Sequence, residues 1–173
     1  MRTSLDLALA YVAAHPTHKI FPIARGVKTP PTIKNNLSPD VASNDTEVIT
    51  AWHDRWPGCN WGLALKASLV IVVDVDCKPG KHGQHTFDML QLEHGWPKTL
   101  QASTPSGGRH YYFNATDVAK YVFALGTNGF GRDIDSPNYV LIPGCGDYAH
   151  LENPRQRIFQ SCIDFLRQPS DDR

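Results

Sequence analysis

The sequence lacks an excess of charge of either sign, because 17 Lys and Arg residues balance 17 Asp and Glu residues among 173. A protein that coats nucleic acid through its overall charge carries a large basic excess, so this balance argues against that class. Any contact with nucleic acid is therefore expected to be a local patch.

Cysteines and long apolar runs are also scarce. The four cysteines, Cys59, Cys77, Cys145 and Cys162, lie far apart and form no C-x-x-C pair. This spacing predicts neither a zinc knuckle nor a disulfide framework, so we expect free thiols in a reducing cytoplasm. No run approaches the length of a membrane span, and the chain does not start with a basic segment followed by an apolar one. We therefore expect no membrane partner.

What the sequence does have is a core-forming composition, with 41% apolar side chains. We expect one domain over residues 1–167, and a tail or the start of a linker at 168–173. Helices are predicted at 4–14, from about 43 to 56, at 84–94 and from Pro154 onward. Strands are predicted at 19–23, 60–65, 69–76, 100–103, 109–113, 132–134 and 138–142, with a loop at 126–131. This alternation predicts an α+β fold with a mixed sheet.

The spacing of apolar residues also predicts what each element buries. The side chains expected in the core are Leu5, Leu9 and Val12 of the first helix, Trp52 and Trp56 of the second, and Tyr111 and Phe113 of the strand 109–113. Pro22 cannot donate a hydrogen bond to a neighbouring strand, so the strand 19–23 is expected at the edge of a sheet.

Two aspartates end the most apolar strand, Leu69-Val-Ile-Val-Val-Asp-Val-Asp76. Side chains alternate along a strand, so Asp74 and Asp76 share a face and lie roughly 6.6 Å apart along it. Like charges at the end of a buried strand are unfavourable unless a cation or a donor neutralises them. Carboxylate oxygens suit Mg²⁺ or Mn²⁺, and two such ions can activate a 3′-hydroxyl and stabilise departing pyrophosphate. The alternative is a solvated strand end before a turn at Lys78.

A glycine turn, Ser106-Gly107-Gly108, leads into Arg109 and His110 at the start of a strand. Glycines let backbone N–H groups approach an anion, and an imidazole at that position can contact phosphate oxygens. Arg109 either reaches a phosphate or solvates the turn. The alternative is an ordinary turn followed by an exposed histidine. Alternation places Tyr112 on the face of His110.

Asp133 and Asp135 form a second alternating acidic pair. Asp133 is the better candidate for a third metal ligand, because Asp135 stands before Ser136-Pro137, where carboxylates commonly accept backbone hydrogen bonds. Asp135 remains a competing ligand. Near the amino end, Arg25 and Lys28 form a basic loop that either holds a triphosphate or a template phosphate, or is simply solvated.

Three motifs therefore occur in order: Val73-Asp-Val-Asp76, Ser103-Thr-Pro-Ser-Gly-Gly-Arg-His-Tyr-Tyr-Phe113 and Gly131-Arg-Asp-Ile-Asp-Ser-Pro-Asn-Tyr-Val-Leu-Ile-Pro143. Together they resemble the bifunctional primase-polymerase family of the archaeo-eukaryotic primase superfamily. The segments Ala8-Leu-Ala-Tyr11, Phe21-Pro22, Lys28-Thr-Pro30 and Ala51-Trp52 to Trp56-Pro57 extend the likeness over residues 5–145.

The resemblance implies a two-lobed core with an RRM-like catalytic sheet, which starts or extends strands from NTPs or dNTPs on single-stranded DNA. By position it implies that Asp74 and Asp76 are the first metal-binding pair and Asp133 the third carboxylate. It also implies that His110 contacts the phosphates of the incoming nucleotide, with Ser106 in the same motif. A helicase or a helical priming domain is the partner it suggests, in a phage, plasmid or prokaryotic replication context.

The sequence departs from the family after Asp133, where a basic residue and glycines are common and this chain has Asp135-Ser-Pro137. It also lacks the zinc-binding insertion of some relatives. Our leading hypothesis is template-directed nucleotidyl transfer with two metal ions. Two alternatives stay open: a metal-dependent nuclease with water as the nucleophile, and a non-catalytic module that stacks single-stranded bases on Tyr111, Tyr112 or Trp61.

Overall fold

The computed structural model describes residues 3–31, 37–94, 99–114, 126–146 and 149–150. Its helices are α1 (Ser4–Ala14), α2 (Thr46–Arg55), α3 (Leu65–Ser68) and α4 (Gly83–His94), and a short 3-10 helix covers Pro39–Val41. Its strands are β1 (Ile20–Ile23), β2 (Asn60–Ala64), β3 (Val70–Val75), β4 (Gln101–Ser103), β5 (Arg109–Asn114), β6 (Gly126–Gly131), β7 (Ile134–Ser136), β8 (Tyr139–Leu141) and β9 (Ala149–His150). The predicted α+β class is confirmed.

The described chain divides into two compact units, of which the first contains the residues up to Val70 together with Asn138–His150. Its three-stranded sheet has the order β1-β2-β8, and both pairs are antiparallel. Pro22 lies in β1, opposite Trp61 of β2. A proline is tolerated there because an edge strand has a side without a neighbour, so the predicted edge position is confirmed.

Helix α1 begins where the sequence provides a capping box. The Thr3 side chain accepts a hydrogen bond from the Asp6 backbone N–H, and the Asp6 carboxylate accepts one from the Thr3 N–H. The helix buries Ala8, Tyr11 and Val12, while Leu5 and Leu9 are half-buried. Of the three side chains predicted in the core, only Val12 is therefore fully covered.

Helix α2 buries less than its spacing predicts. Ile49 is its buried residue, and Trp52 and Trp56 are half-buried. The guanidinium of Arg55 lies 5.0 Å from the centroid of the Trp56 ring, which is a cation–π distance. The prediction that both tryptophans lie in the core is wrong, because helical spacing identifies an apolar face and not how far that face is covered.

The second unit contains residues Ile71–Pro137. Its strands lie in one sheet in the order β6-β7-β3-β5-β4, so β3 is central, as predicted from its run of β-branched residues. One hydrophobic cluster joins β3, α4, β5 and β7, and its buried members are Ile71, Val73, Val75, Phe87, Tyr111, Phe113 and Ile134. The predicted core positions of Tyr111 and Phe113 are confirmed. Strands β4 and β5 form the predicted hairpin, with Ser103 opposite Arg109.

Residues 126–131 form a strand and not the predicted loop. Strand β6 pairs antiparallel with β7, with an irregular register between Gly126 and Gly131. Three glycines among six residues favour a loop locally. Pairing with a neighbouring strand outweighs that local preference, which is why the prediction fails.

Three of the predicted free thiols, Cys59, Cys77 and Cys145, are free in the structure, while Cys162 and the predicted helix from Pro154 lie outside the described residues. Within the described ranges, no helix combines the length and apolarity needed to cross a bilayer.

Candidate catalytic site

Asp74 lies on the central strand β3, beside a buried histidine of the neighbouring strand β5. Nε2 of His110 is 3.4 Å from Oδ1 of Asp74, and the side chains are 3% and 27% exposed, respectively. The Tyr112 hydroxyl lies 3.5 Å from Nδ1 of His110, so Tyr112 shares the face of His110 as predicted. The structure therefore brings Asp74 and His110 together.

Asp76 follows the end of β3, and a backbone hydrogen bond connects it to Asp133. The Asp76 N–H donates to the Asp133 carbonyl at 3.0 Å. Asp133 precedes β7, which begins at Ile134, and has a φ of 62°. The prediction of a strand from Arg132 is therefore wrong. The left-handed backbone at Asp133 breaks the alternation that would have aligned its side chain with Asp74 and Asp76.

Asp135, by contrast, lies inside β7 and directly opposite Asp74 in the antiparallel register. Directly opposite residues present their side chains on the same face of a sheet. The interpretation of Asp135 as a turn residue is wrong, because β7 continues through Ser136. Asp135 is therefore the acidic residue of β7 that shares the face of Asp74.

The Asp133 carboxylate is held by the loop that joins β3 to α4. Nζ of Lys81 lies 2.8 Å from Oδ1, and the backbone N–H of His82 donates to Oδ2 at 2.8 Å. The Lys81 hydrogen bond, followed by the His82 hydrogen bond, holds the pKa of the Asp133 carboxyl below its ordinary value. The same hydrogen bond to Asp133 raises the pKa of Lys81. Both oxygens of Asp133 therefore have donors.

Asp76 has a lysine of its own. Nζ of Lys78 lies 3.1 Å from Oδ2 of Asp76, and the Lys78 backbone N–H donates to Oδ1 at 3.3 Å. The Lys78 side chain is half exposed and reaches back only two residues. The loop thus supplies one ammonium to Asp76 and another to Asp133.

Two glycines allow the surrounding backbone to approach the end of β3. A methyl group on Gly83 would lie 2.7 Å from the Asp133 carbonyl oxygen and 2.8 Å from the Asp76 nitrogen. A methyl group on Gly108 would overlap the Val75 carbonyl oxygen and lie 3.5 Å from the Cys77 nitrogen. The β3–α4 loop and the glycine turn of the hairpin therefore both pack against this strand end.

The hairpin turn exposes Ser106, Gly107 and Arg109 and buries Gly108. The Ser106 hydroxyl lies 3.1 Å from that of Thr104. These predicted nucleotide-binding residues therefore lie beside the end of the strand that carries Asp74.

Lys28, the remaining predicted nucleotide-binding residue, belongs to the first unit. It lies in the loop after β1, as does Arg25. Its carbonyl accepts a hydrogen bond from the Tyr139 hydroxyl at 2.7 Å. The loop is thereby fastened to β8 of its own unit.

The donor chemistry at the end of β3 fits a hard divalent cation. Asp74, Asp76 and Asp133 offer carboxylate oxygens, and ammonium groups already lie against two of them, so positive charge is accommodated there. Among the described residues, no three His, Cys, Asp or Glu side chains are arranged as a group that could hold a metal ion.

Sequence reasoning missed Lys81, His82 and Gly83. The signal was present, because two lysines and two glycines follow Asp76 within seven residues. Such a composition is typical of an exposed turn. It does not indicate that Lys81 contacts an aspartate 52 residues away.

Comparison with known proteins identifies the family of the chain. The family model described as bifunctional DNA primase/polymerase, N-terminal, matches residues 8–157. No curated protein matches the chain. The family implies a nucleotidyltransferase-type enzyme with a DNA primase/polymerase function. The match covers most of the sequence and includes the three motifs whose residues meet at the end of β3, and the chain therefore belongs to the bifunctional DNA primase/polymerase family.

Proposed function

We propose that this chain is the catalytic core of a primase-polymerase that transfers nucleotides from NTPs or dNTPs to a strand paired with a single-stranded DNA template. The observation that carries the proposal is the pairing of Asp74 with buried His110 in the central strands, with Asp76 and Asp133 joined at the same strand end. A carboxylate supported by a buried imidazole on rigid strands has the kind of support that a functional site requires.

In this proposal Asp74, Asp76 and Asp133 hold two Mg²⁺ or Mn²⁺ ions. When bound, such ions lower the pKa of the attacking 3′-hydroxyl and stabilise charge on the departing pyrophosphate. The chain supplies orientation. His110 restrains the carboxylate of Asp74. The backbone hydrogen bond between Asp76 and Asp133 fixes the distance between their main chains.

The triphosphate is assigned to the hairpin turn. Ser106, Gly107 and Gly108 offer a hydroxyl and backbone N–H groups, while Arg109 offers an exposed guanidinium. His110 is the imidazole at the start of the same strand, and we assign it to the phosphates as well as to Asp74. Lys28 is proposed as a further phosphate contact.

The proposal extends to the organisation of the protein. Residues 1–167 are taken as one catalytic domain, and a helicase or a helical priming domain, on this or another chain, as its partner in replication. The cytoplasm of a prokaryotic, phage-infected or plasmid-bearing cell is the expected location.

The test is a template-dependent extension assay. Purified protein is incubated with primed or unprimed single-stranded DNA, labelled NTPs or dNTPs, and Mg²⁺ or Mn²⁺. We expect product growth in wild type and none in Asp74→Ala. The matched control is Asp54→Ala, which removes an exposed carboxylate from α2 in the first unit and should extend as wild type does.

Other outcomes would contradict the proposal. Metal-dependent shortening of the DNA without nucleotides would indicate a nuclease. Binding of single strands with neither growth nor shortening would indicate a non-catalytic module. That module has less support, because the aromatic side chains proposed for base stacking, Trp61, Tyr111 and Tyr112, are all buried.

A further inference from the structure

Lys81 makes a contact whose geometry sets it apart from an ordinary surface lysine. Its ammonium lies 2.8 Å from Oδ1 of Asp133, a carboxylate that is only 11% exposed. The other oxygen of the same carboxylate accepts the His82 N–H at 2.8 Å. The adjacent residues of one loop thus occupy both oxygens of one aspartate.

The backbone of this loop is fixed on either side of Lys81. The Lys81 N–H donates to the Lys78 carbonyl at 2.9 Å, and the Gly83 N–H donates to the Asp76 carbonyl at 3.2 Å. Gly83 has no room for a side chain there, because its neighbours are backbone atoms of Asp76 and Asp133. The part of Lys81 that can move is therefore its side chain, which is 43% exposed and has a flexible four-carbon stem.

A carboxylate oxygen has two lone pairs, but an ammonium and a divalent cation on the same oxygen repel each other, so each weakens the binding of the other. We propose that Lys81 is the main counter-cation of Asp133, ahead of the more distant Arg132 at 3.7 Å, and that a divalent metal competes with it for this carboxylate. The inference rests on the proposed function, since it takes Asp133 as a metal ligand. Lys81 then determines how tightly the site binds metal: it balances the charge of Asp133 when metal is absent and competes with the ion when metal arrives.

Lys78 is the natural comparison. It pairs with Asp76 at 3.1 Å, but its side chain is 53% exposed and spans only two residues. Exposed local pairs of that kind contribute little. Removal of Lys78 is therefore expected to change metal affinity less than removal of Lys81.

The test measures Mn²⁺ affinity directly, from the electron paramagnetic resonance signal of free Mn²⁺ in titrations of the purified chain. Lys81→Met, which keeps the length of the stem and removes the charge, should bind Mn²⁺ about two- to fivefold more tightly than wild type. Lys81→Arg keeps the charge and should bind no more tightly than wild type. Lys66→Met removes an exposed lysine from α3 of the first unit and should leave the affinity unchanged.

A double-mutant cycle separates displacement at Asp133 from a general effect of charge. In an Asp133→Asn background, Lys81→Met should no longer tighten Mn²⁺ binding, because the shared carboxylate is gone. An equal gain in that background would overturn the inference, as would unchanged or weaker binding by Lys81→Met alone.

The result also distinguishes this inference from the proposed function. If wild type binds Mn²⁺ and Asp74→Ala does not, but Lys81→Met matches wild type, only the role of Lys81 is lost. If neither wild type nor Lys81→Met binds Mn²⁺, both the proposed metal site and the role of Lys81 are wrong.

Discussion

Gly83 offers the sharpest test of the geometry at the end of β3. Substitution by alanine would place a methyl group 2.7 Å from the Asp133 oxygen and 2.8 Å from the Asp76 nitrogen. These are backbone atoms, so no side-chain rotation relieves the overlap. The β3–α4 loop must move away from the strand end, and the carboxylates of Asp76 and Asp133 must move with their main chains.

The expected change in the free energy of unfolding follows from two opposed contributions. Overpacking of a well-fitted site costs about 1–3 kcal/mol. Alanine in place of glycine in a helix recovers about 0.5–1 kcal/mol, because α4 begins at Gly83. The net loss is at most about 2.5 kcal/mol, which for a chain of this size lowers Tm by at most about 10 °C. A displacement of about 1 Å in the site can cost about 100-fold in rate, so we expect extension to fall far more than stability.

Gly80→Ala in the same loop is the control. Gly80 has a φ of 84° and nothing within 4 Å of an added methyl group, so alanine there strains the backbone without touching either aspartate. Both variants should show lowered Tm by circular dichroism, but only Gly83→Ala should lose extension activity. Wild-type Tm and activity in Gly83→Ala would refute the close packing described for this loop.

Three further predictions use other parts of the chain. His110→Ala should lower Mn²⁺ affinity or kcat about 10- to 100-fold, because the imidazole restrains Asp74; equal values in the two proteins would contradict that role. Gly108→Ala should lower Tm, because a methyl group there meets the Val75 carbonyl and lies 3.0 Å from the Thr104 hydroxyl. Burial, followed by the charge of His15, lowers the pKa of His18 to about 4, so unfolding should become easier by about 3 kcal/mol between pH 7 and pH 4.

The sign of the last effect follows from the direction of the shift. Folded His18 stays neutral while the unfolded chain takes up a proton below about pH 6.5, so the contribution is complete above that pH and is lost as the pH falls towards 4. Thermal unfolding of wild type and His18→Gln across this range measures it. Identical pH profiles for the two proteins would contradict the prediction.

The central strand and its aspartate could be predicted from the sequence because the signal is local. A continuous β-branched run predicts a strand buried on both faces, and β3 is that strand. The same holds for the hairpin, where a glycine turn joins two alternating segments. The positions of Asp74 and His110 follow from the predicted bounds of these strands. Their side chains lie close together because β3 and β5 are neighbours in the sheet.

The strand at 126–131 could not be predicted in the same way. Its glycines have little intrinsic preference for a strand, and what makes it one is pairing with β7. The prediction that Trp52 and Trp56 lie in the core failed for a related reason. Large aromatic side chains favour burial on average, but coverage depends on which other segments fold over α2, and no local pattern contains that information.

The acidic pair 133/135 shows how one dihedral angle decides the composition of a site. Side chains alternate between the two faces of a sheet only while the backbone stays extended. The φ of 62° at Asp133 is not extended, so the alternation does not include this residue, which directly precedes β7. Asp133 is thereby directed to Lys81 and His82, while Asp135 takes the position opposite Asp74. Because Asp133 lies in this turn, the turn brings the Asp133 carboxylate to the Lys81 ammonium. A substitution that restored extended geometry at Asp133 would separate the carboxylate from Lys81, so the backbone conformation and the metal affinity of the site should change together.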